Sequence, residues 1–251
     1  MSAFVNRVRI DPVTVDQLNE SIGSFLQCGK SHVVHFCAAH PTVLARRDIG
    51  YRTILNRGDL NLPDGAPVAW AARIESFSAR RLPGTEGFHG IAEWGRTRGL
   101  THFFFGGTAD GQTRLRQNLE MVHPGIKIVG AESPPFRALC DREVEECARR
   151  IRAAGTQALW VGLGTPKQDI IADQLRDLDA APVILCVGAA FDFVAGVKQR
   201  APAWMQRLGL EWLHRLVSEP RRLWRRYLLG NPQFIGGIVS DRIRQAARRS
   251  R

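Results

Sequence analysis

QALWVGLGTPKQDIIADQLRDL, residues 157–178, joins a short apolar run to a glycine-rich turn and then to a segment whose apolar residues Ile171, Leu175 and Leu178 recur at helical spacing. A brief apolar run bounded by turn residues fits a strand buried on both faces, and the pattern after it fits an amphipathic helix. Gly162 and Gly164 let the chain turn between the two, and Pro166 suits a first helical position. The same unit recurs in both directions. HVVHFCAA (32–39) is one such run, THFFFGG (101–107) precedes a helical pattern over 108–121, and KIVGAES (127–133) precedes one over 140–154. VILCVGAAFDFVAG (183–196) leads into the arginine-rich end, and VRIDPV (8–13) into a segment opened by Thr14 and Gln17 in capping-box spacing. Strands alternating with helices predict an α/β fold, a Rossmann-like parallel sheet flanked by helices on both faces.

A chain of 251 residues, 44% hydrophobic and 24% charged, can bury a full core. The five cysteines are odd in number, scattered and never spaced as CxxC, which argues against a disulfide framework or a zinc site and for a reducing cytosol. The opening MSAFVNRVRIDP lacks the apolar core of a signal peptide, and the longest strongly apolar run, 183–191, is far below the ~20 residues of a membrane-spanning helix. A soluble or peripheral protein is expected. The net charge of +11 is concentrated in residues 201–251, where eleven arginines face Glu211, Glu219 and Asp241. That asymmetry predicts a nearly balanced α/β body over 1–200 and a basic appendage over 201–251 that meets something anionic.

Ligands of a parallel α/β sheet bind at the carboxyl ends of the strands. Four such ends are chemically loaded here. Gly106 and Gly107 let backbone N–H groups approach a phosphate, although glycines at such turns also arise for steric reasons alone. Lys167 and Gln168 stand in a first helical turn, where a cation beside an amide could hold a diphosphate and a base or sugar hydroxyl; a solvated lysine is the plainer alternative. Asp192 sits in an apolar run and needs a partner, either structural or a ligand hydroxyl. Asp64, on the turn LNLPDGAPVAW (60–70), is either an ordinary helix cap or a rigidly held general base. Neither a GxGxxG fingerprint nor a GKS/T phosphate loop occurs, which argues against a dinucleotide oxidoreductase.

In residues 212–229, Trp212, Leu213, Leu216, Val217, Leu223, Trp224, Tyr227 and Leu228 recur at helical spacing, with arginines between them and a break expected at Pro220. An amphipathic helix lying on an anionic membrane surface is the reading, against a helix that packs its apolar face on the core. The basic end also fits nucleic acid, but tryptophans at helical spacing suit a bilayer interface better, so no nucleic-acid partner is expected.

The ordered set LPDG (62–65), RRLPGTE (80–86), FFFGG (103–107), HPGIKIVG (123–130), VGLGTPKQD (161–169), VGAAFDFVAG (187–196), RAPAWMQRLGLEWLHRL (200–216) and EPRRLWRRYLLGNPQF (219–234) resembles the WecG/TagA/CpsF glycosyltransferases. The resemblance implies an inverting, metal-independent, membrane-associated enzyme. Its donor would be a UDP-sugar and its acceptor a polyprenyl-diphosphate-linked saccharide, in exopolysaccharide or other cell-surface polysaccharide synthesis at the inner face of the cell membrane. The family's proposed base falls on Asp64 and its ERVxG arginine on Arg81, with Arg80 where the family has Glu. Its GxPkQE motif falls on Gly164, Pro166, Lys167 and Gln168, with Asp169 for Glu, and its gaFD motif on Phe191 and Asp192. These residues, with Gly65, Gly106 and Gly107, are expected at the donor. Arg215, Arg222 and Arg225 are expected, by family position, at the diphosphate or the membrane. Where many members carry an asparagine at the first site strand, this chain reads HFCAAHPT, placing Cys37 or Ala38 there, with His35 or His40 able to compensate. The HFC-type strand points to a hexose or hexuronate donor. Oligomeric state stays open, a homo-oligomer included.

Overall fold

The computed structural model describes residues 2–76 and 79–249. It opens with an antiparallel hairpin of β1 (Ala3–Val5) and β2 (Val8–Ile10), so VRIDPV contributes a strand that stands apart from the main sheet. Helix α1 (Val15–Gln27) begins at Thr14, whose hydroxyl accepts the Gln17 N–H while the Gln17 side chain returns to the Thr14 N–H, the reciprocal cap expected from the sequence. Then come β3 (His32–Cys37), α2 (Ala39–Arg47), α3 (Ile49–Arg57), β4 (Leu60–Pro63), α4 (Ala66–Ala72), α5 (Gly84–Arg96), β5 (Thr101–Gly106) and α6 (Ala109–Val122). The second half holds β6 (Lys127–Glu132), α7 (Asp141–Ala153), β7 (Ala158–Gly162), α8 (Lys167–Asp177), β8 (Val183–Cys186) and α9 (Ala190–Val194). The run VILCVGAAFDFVAG is thus a four-residue strand followed by a short helix.

Six strands form one parallel sheet in the order β4-β3-β8-β7-β5-β6. Their alternation builds two cores. Phe104, Trp160, Val183 and Leu185 face α1, α5 and α6, whereas Phe103, Phe105, Leu159, Val161 and Ile184 face α7 and α8. Phe88 of α5 stacks on Trp160 with ring centroids 3.9 Å apart, and Phe191 meets Phe104 edge-on at 5.9 Å. β6, paired on one side only, stays half-exposed, unlike the buried strand its apolar residues predict.

Gly106 has φ +132, and a Cβ on it would lie 2.5 Å from the main-chain oxygen of Gly162 on the neighbouring strand. Steric need alone therefore explains this glycine. Gly106→Ala is expected to destabilise the fold by about 3 kcal/mol, read as a lower denaturant midpoint, because the atom in the way is backbone and cannot rotate aside.

The C-terminal segment comprises α10 (Ala203–Arg207), α11 (Glu211–Ser218), α12 (Pro220–Trp224), a π-helical turn over Arg225–Leu229, and α13 (Gly230–Arg249). The break falls at Pro220, the first residue of α12. Phe234 is buried among Ala3, Val5, Val43 and Tyr51, and Asp241 pairs with Arg46 at 2.5 Å, which seats α13 on α2 and the hairpin. Leu213, Val217, Trp224, Leu228 and Leu229 face solvent, while Leu223 and Tyr227 are buried. Among the described residues no helix is long and apolar enough to cross a membrane. Arg251, and with it the end of the arginine-rich tail, lies outside the described residues.

Candidate active site

A cleft of about 730 Å3 opens at the carboxyl ends of the strands, between the turns after β3, β4, β5, β7 and β8 and the segment from Arg200 to Asn231. Sequence segments far apart meet there. Asp64, Gly65, Arg81, Gly106, Gly107, Gly164, Lys167, Gln168, Phe191, Asp192, Arg215 and Arg222 all line it. Pro166 and Arg225 are not among its lining residues: Pro166 is the exposed N-cap of α8, and the Arg225 guanidinium lies 5.1 Å over the exposed Trp224 ring.

Asp64 follows β4 directly. It does not cap the helix after it, since the N-cap of α4 is Gly65 and makes no side-chain bond. Its Oδ1 instead accepts the N–H of Gly84, the first residue of α5, at 2.8 Å. That bond and the Pro63 and Gly65 backbone hold the carboxylate at the rim of the sheet. Burial pushes the Asp64 carboxyl above its ordinary value; the Gly84 N–H and Arg81 pull it back, Glu211 pushes it up and Arg215 pulls it down. A carboxylate with raised proton affinity, fixed beside an open cleft, is suited to general-base work.

Arg81 donates through Nε to the Asp64 carbonyl oxygen at 2.8 Å and through its other arm to Glu211 of α11. Its fork is thus engaged with protein, tying the Asp64 turn to the C-terminal segment. Glu211 also lies 3.7 Å from Arg200. A second chain of ion pairs runs from Asp192 through Lys198, 2.5 Å away, to Glu219 at 3.1 Å and on to Arg222. Asp192 is accordingly half-exposed and paired, rather than buried in apolar surroundings.

The positive wall is under-satisfied. The Nε groups of Arg200, Arg215 and Arg226 are buried without a hydrogen-bond partner among the described residues. Burial disfavours the charge on Arg226, the neighbouring Arg215 and Arg222 add to that, and its guanidinium sits 5.7 Å over Tyr227. Arginines pressed together with free donors call for an anion, and diphosphate geometry matches guanidinium forks. The opposite wall carries Lys167, whose Nζ donates to the Pro135 carbonyl at 3.0 Å, and Gln168, 4% exposed with Oε1 unpartnered among the described residues.

Sequence reasoning missed Arg226, Arg200, Glu211 and Glu219. Arg222 and Arg226 are four apart, but the π turn over Arg225–Leu229 shifts the helix phase at that point, so that spacing does not by itself tell which arginine faces the cleft. Of the HFCAAHPT strand, Cys37 is buried and turned into the core, whereas Ala38 and His40 reach the cleft. Burial and the Arg226 charge lower His40 to about 4, so it is neutral at neutral pH. His35 does not reach the cleft: its Nδ1 is 2.9 Å from Asp169 Oδ1, and Tyr51 donates to Asp169 Oδ2 at 2.7 Å. Asp169, 2% exposed, is thus a buried tie between β3, α3 and α8 rather than a lining group. His35, Asp169 and the Cys186 thiol form the only cluster among the described residues with metal-ligand spacing, but His35 and Asp169 already bond each other, the thiol donates to the Gln168 carbonyl, and burial raises the thiol well above its ordinary range.

Fold and cleft define an α/β protein whose strand-end cleft sets a fixed carboxylate and a group of arginines in one wall. The chain belongs to the glycosyl transferase WecG/TagA/CpsF family, whose model matches residues 4–248. It is 27% identical over 236 residues to the N-acetylglucosaminyldiphosphoundecaprenol N-acetyl-beta-D-mannosaminyltransferase of Bacillus subtilis (strain 168), covering 90% of each chain. It is also 27% identical over 190 residues to the protein of the same name from Bacillus spizizenii (strain ATCC 23059 / NRRL B-14472 / W23), covering 75% of this chain and 71% of that one.

Proposed function

We propose that this protein is an inverting glycosyltransferase that moves a sugar from UDP to a polyprenyl-diphosphate-linked saccharide in cell-surface polysaccharide synthesis, without a metal ion. One observation carries the reading: a carboxylate with raised proton affinity and arginines with unpaired buried Nε groups face one cleft. Asp64 takes the proton of the acceptor hydroxyl as that oxygen attacks the anomeric carbon from the face opposite the nucleotide. The bond from that carbon to the diphosphate oxygen breaks, and UDP leaves with the electron pair. Arg215, Arg222 and Arg226 meet the charge that develops there, the role a metal ion fills elsewhere. Gly106, Gly107, Gly164, Lys167 and Gln168 border the donor, and Gln168 Oε1 offers an acceptor to a base or sugar donor group.

The relatives' names carry N-acetylmannosamine. With Cys37 inside the core and Ala38 on the wall, this chain presents no amide at the end of β3, and a hexose or hexuronate donor fits that plainer surface. Residues 1–200 act as the catalytic domain and 201–251 as the appendage. The exposed Leu213, Val217, Trp224 and Leu228 rest on the inner face of the cell membrane while their arginine neighbours meet lipid phosphate. The test is UDP release from a panel of UDP-sugars, UDP-N-acetylmannosamine included, with a short-chain polyprenyl-diphosphate saccharide as acceptor. Acceptor-dependent release from one donor is the expected result; a folded protein that binds no UDP would overturn the reading.

A further inference from the structure

Beside the cleft lies a second cavity of about 590 Å3, between α1, α5, the end of α6 and α9. Thr85 and Arg200 line both spaces, so the two adjoin around these residues. Thr85 Oγ1, on a residue only 7% exposed, has no partner among the described residues, while Arg200 Nε makes no hydrogen bond and faces the Glu211 carboxylate at 3.7 Å. A buried hydroxyl left unbonded in a cavity wall calls for a ligand that bonds it.

The remaining wall states the chemistry of that ligand. His123 Nδ1 is 3.1 Å from the Glu93 carboxylate and its Nε2 is 2.9 Å from His89 Nδ1. In the neutral pair the carboxylate accepts from His123 Nδ1–H, His123 Nε2 accepts from His89 Nδ1–H, and His89 Nε2 is left as an acceptor. Burial, His123 and Arg200 all lower the His89 pKa, which favours this uncharged form. The cavity therefore offers a donor at Arg200, an acceptor at His89 and a hydroxyl at Thr85 that does either, beside the Phe193 ring. The Glu93 carboxylate is held by both arms of Arg96 as well as by His123, so its charge is met within the protein. Alternating donors and acceptors beside an aromatic face match a pyranose, which has hydroxyls at its edge and C–H groups on its faces.

Position completes the argument. Thr85 follows Gly84, whose N–H holds the Asp64 carboxylate, so a ring seated against Thr85 lies next to the proposed base. We propose that this side cavity seats the saccharide of the acceptor and presents its hydroxyl to Asp64, with Thr85, His89 and Arg200 as its polar contacts. The inference rests on the transferase reading above.

The test is calorimetric titration of the UDP-saturated protein with N-acetylglucosaminyl diphosphate carrying a short prenyl tail. Wild type is compared with Thr85→Val/His89→Gln, and with Val15→Trp, which enlarges the side chain that α1 brings to the cavity wall and keeps Thr85, His89 and Arg200. In both variants the saccharide is expected to bind at least about 10-fold more weakly, two lost hydrogen bonds or outright blockage, with UDP affinity unchanged. The saccharide KM rises in step. Unchanged saccharide affinity in a folded Val15→Trp protein would overturn the assignment. A parallel loss of UDP affinity would give the cavity to the donor's base and overturn it equally. Wild type binding neither UDP nor saccharide would instead fail the transferase reading itself.

Discussion

Asp64→Asn is expected to lower acceptor-dependent turnover by about 10³-fold while leaving UDP binding and thermal stability near wild type. Asparagine keeps an oxygen that can accept the Gly84 N–H, so the turn that presents residue 64 survives; what is lost is the group that can take a proton. The same logic fixes the pH dependence. Because burial raises the Asp64 carboxyl, the base becomes active only as pH climbs through a limb placed above the ordinary carboxylate range. Glu211 pushes that limb up and Arg81 and Arg215 pull it down. Glu211→Gln should therefore move the acid limb of kcat/KM to lower pH, and Arg215→Gln should move it to higher pH. Turnover in Asp64→Asn close to wild type, or an acid limb that ignores Glu211, would take the base role away from Asp64.

Arg226→Gln is expected to lower kcat by about 10²-fold and to weaken UDP binding. The side chain reaches the cleft from the π turn with Nε unpaired, and burial and its arginine neighbours already work against its charge. A diphosphate beside it would meet both the unpaired donor and the buried charge. Arg225→Gln, one residue away but stacked over the exposed Trp224 ring, should change either quantity by less than about twofold, the usual scale for an exposed substitution. The pair measured side by side separates a specific contact from loss of general positive charge. Equal effects at 225 and 226 would mean that the segment acts only through its summed charge.

The α/β class, the Thr14 capping box, the strand-turn-helix unit around Gly162 to Lys167 and the break at Pro220 were legible from residues 1–251 in order, because periodicity, caps and turn residues act within a few positions of one another. So were Asp64, Gln168 and Arg215 as cleft residues, since each lies in a motif that resembles one family or directly follows an apolar strand. Other outcomes belong to distance in the chain. The sheet order, and the hairpin that takes VRI away from it, depend on which strands find each other. Asp64 bonds Gly84 and not its own helix, Asp169 turns inward to His35 and Tyr51, and Arg226 rather than Arg225 faces the cleft. Each of these is a choice of side-chain partner across many residues. It is set by helix phase, strand order and the competition of buried polar groups for bonds, and no local pattern encodes it.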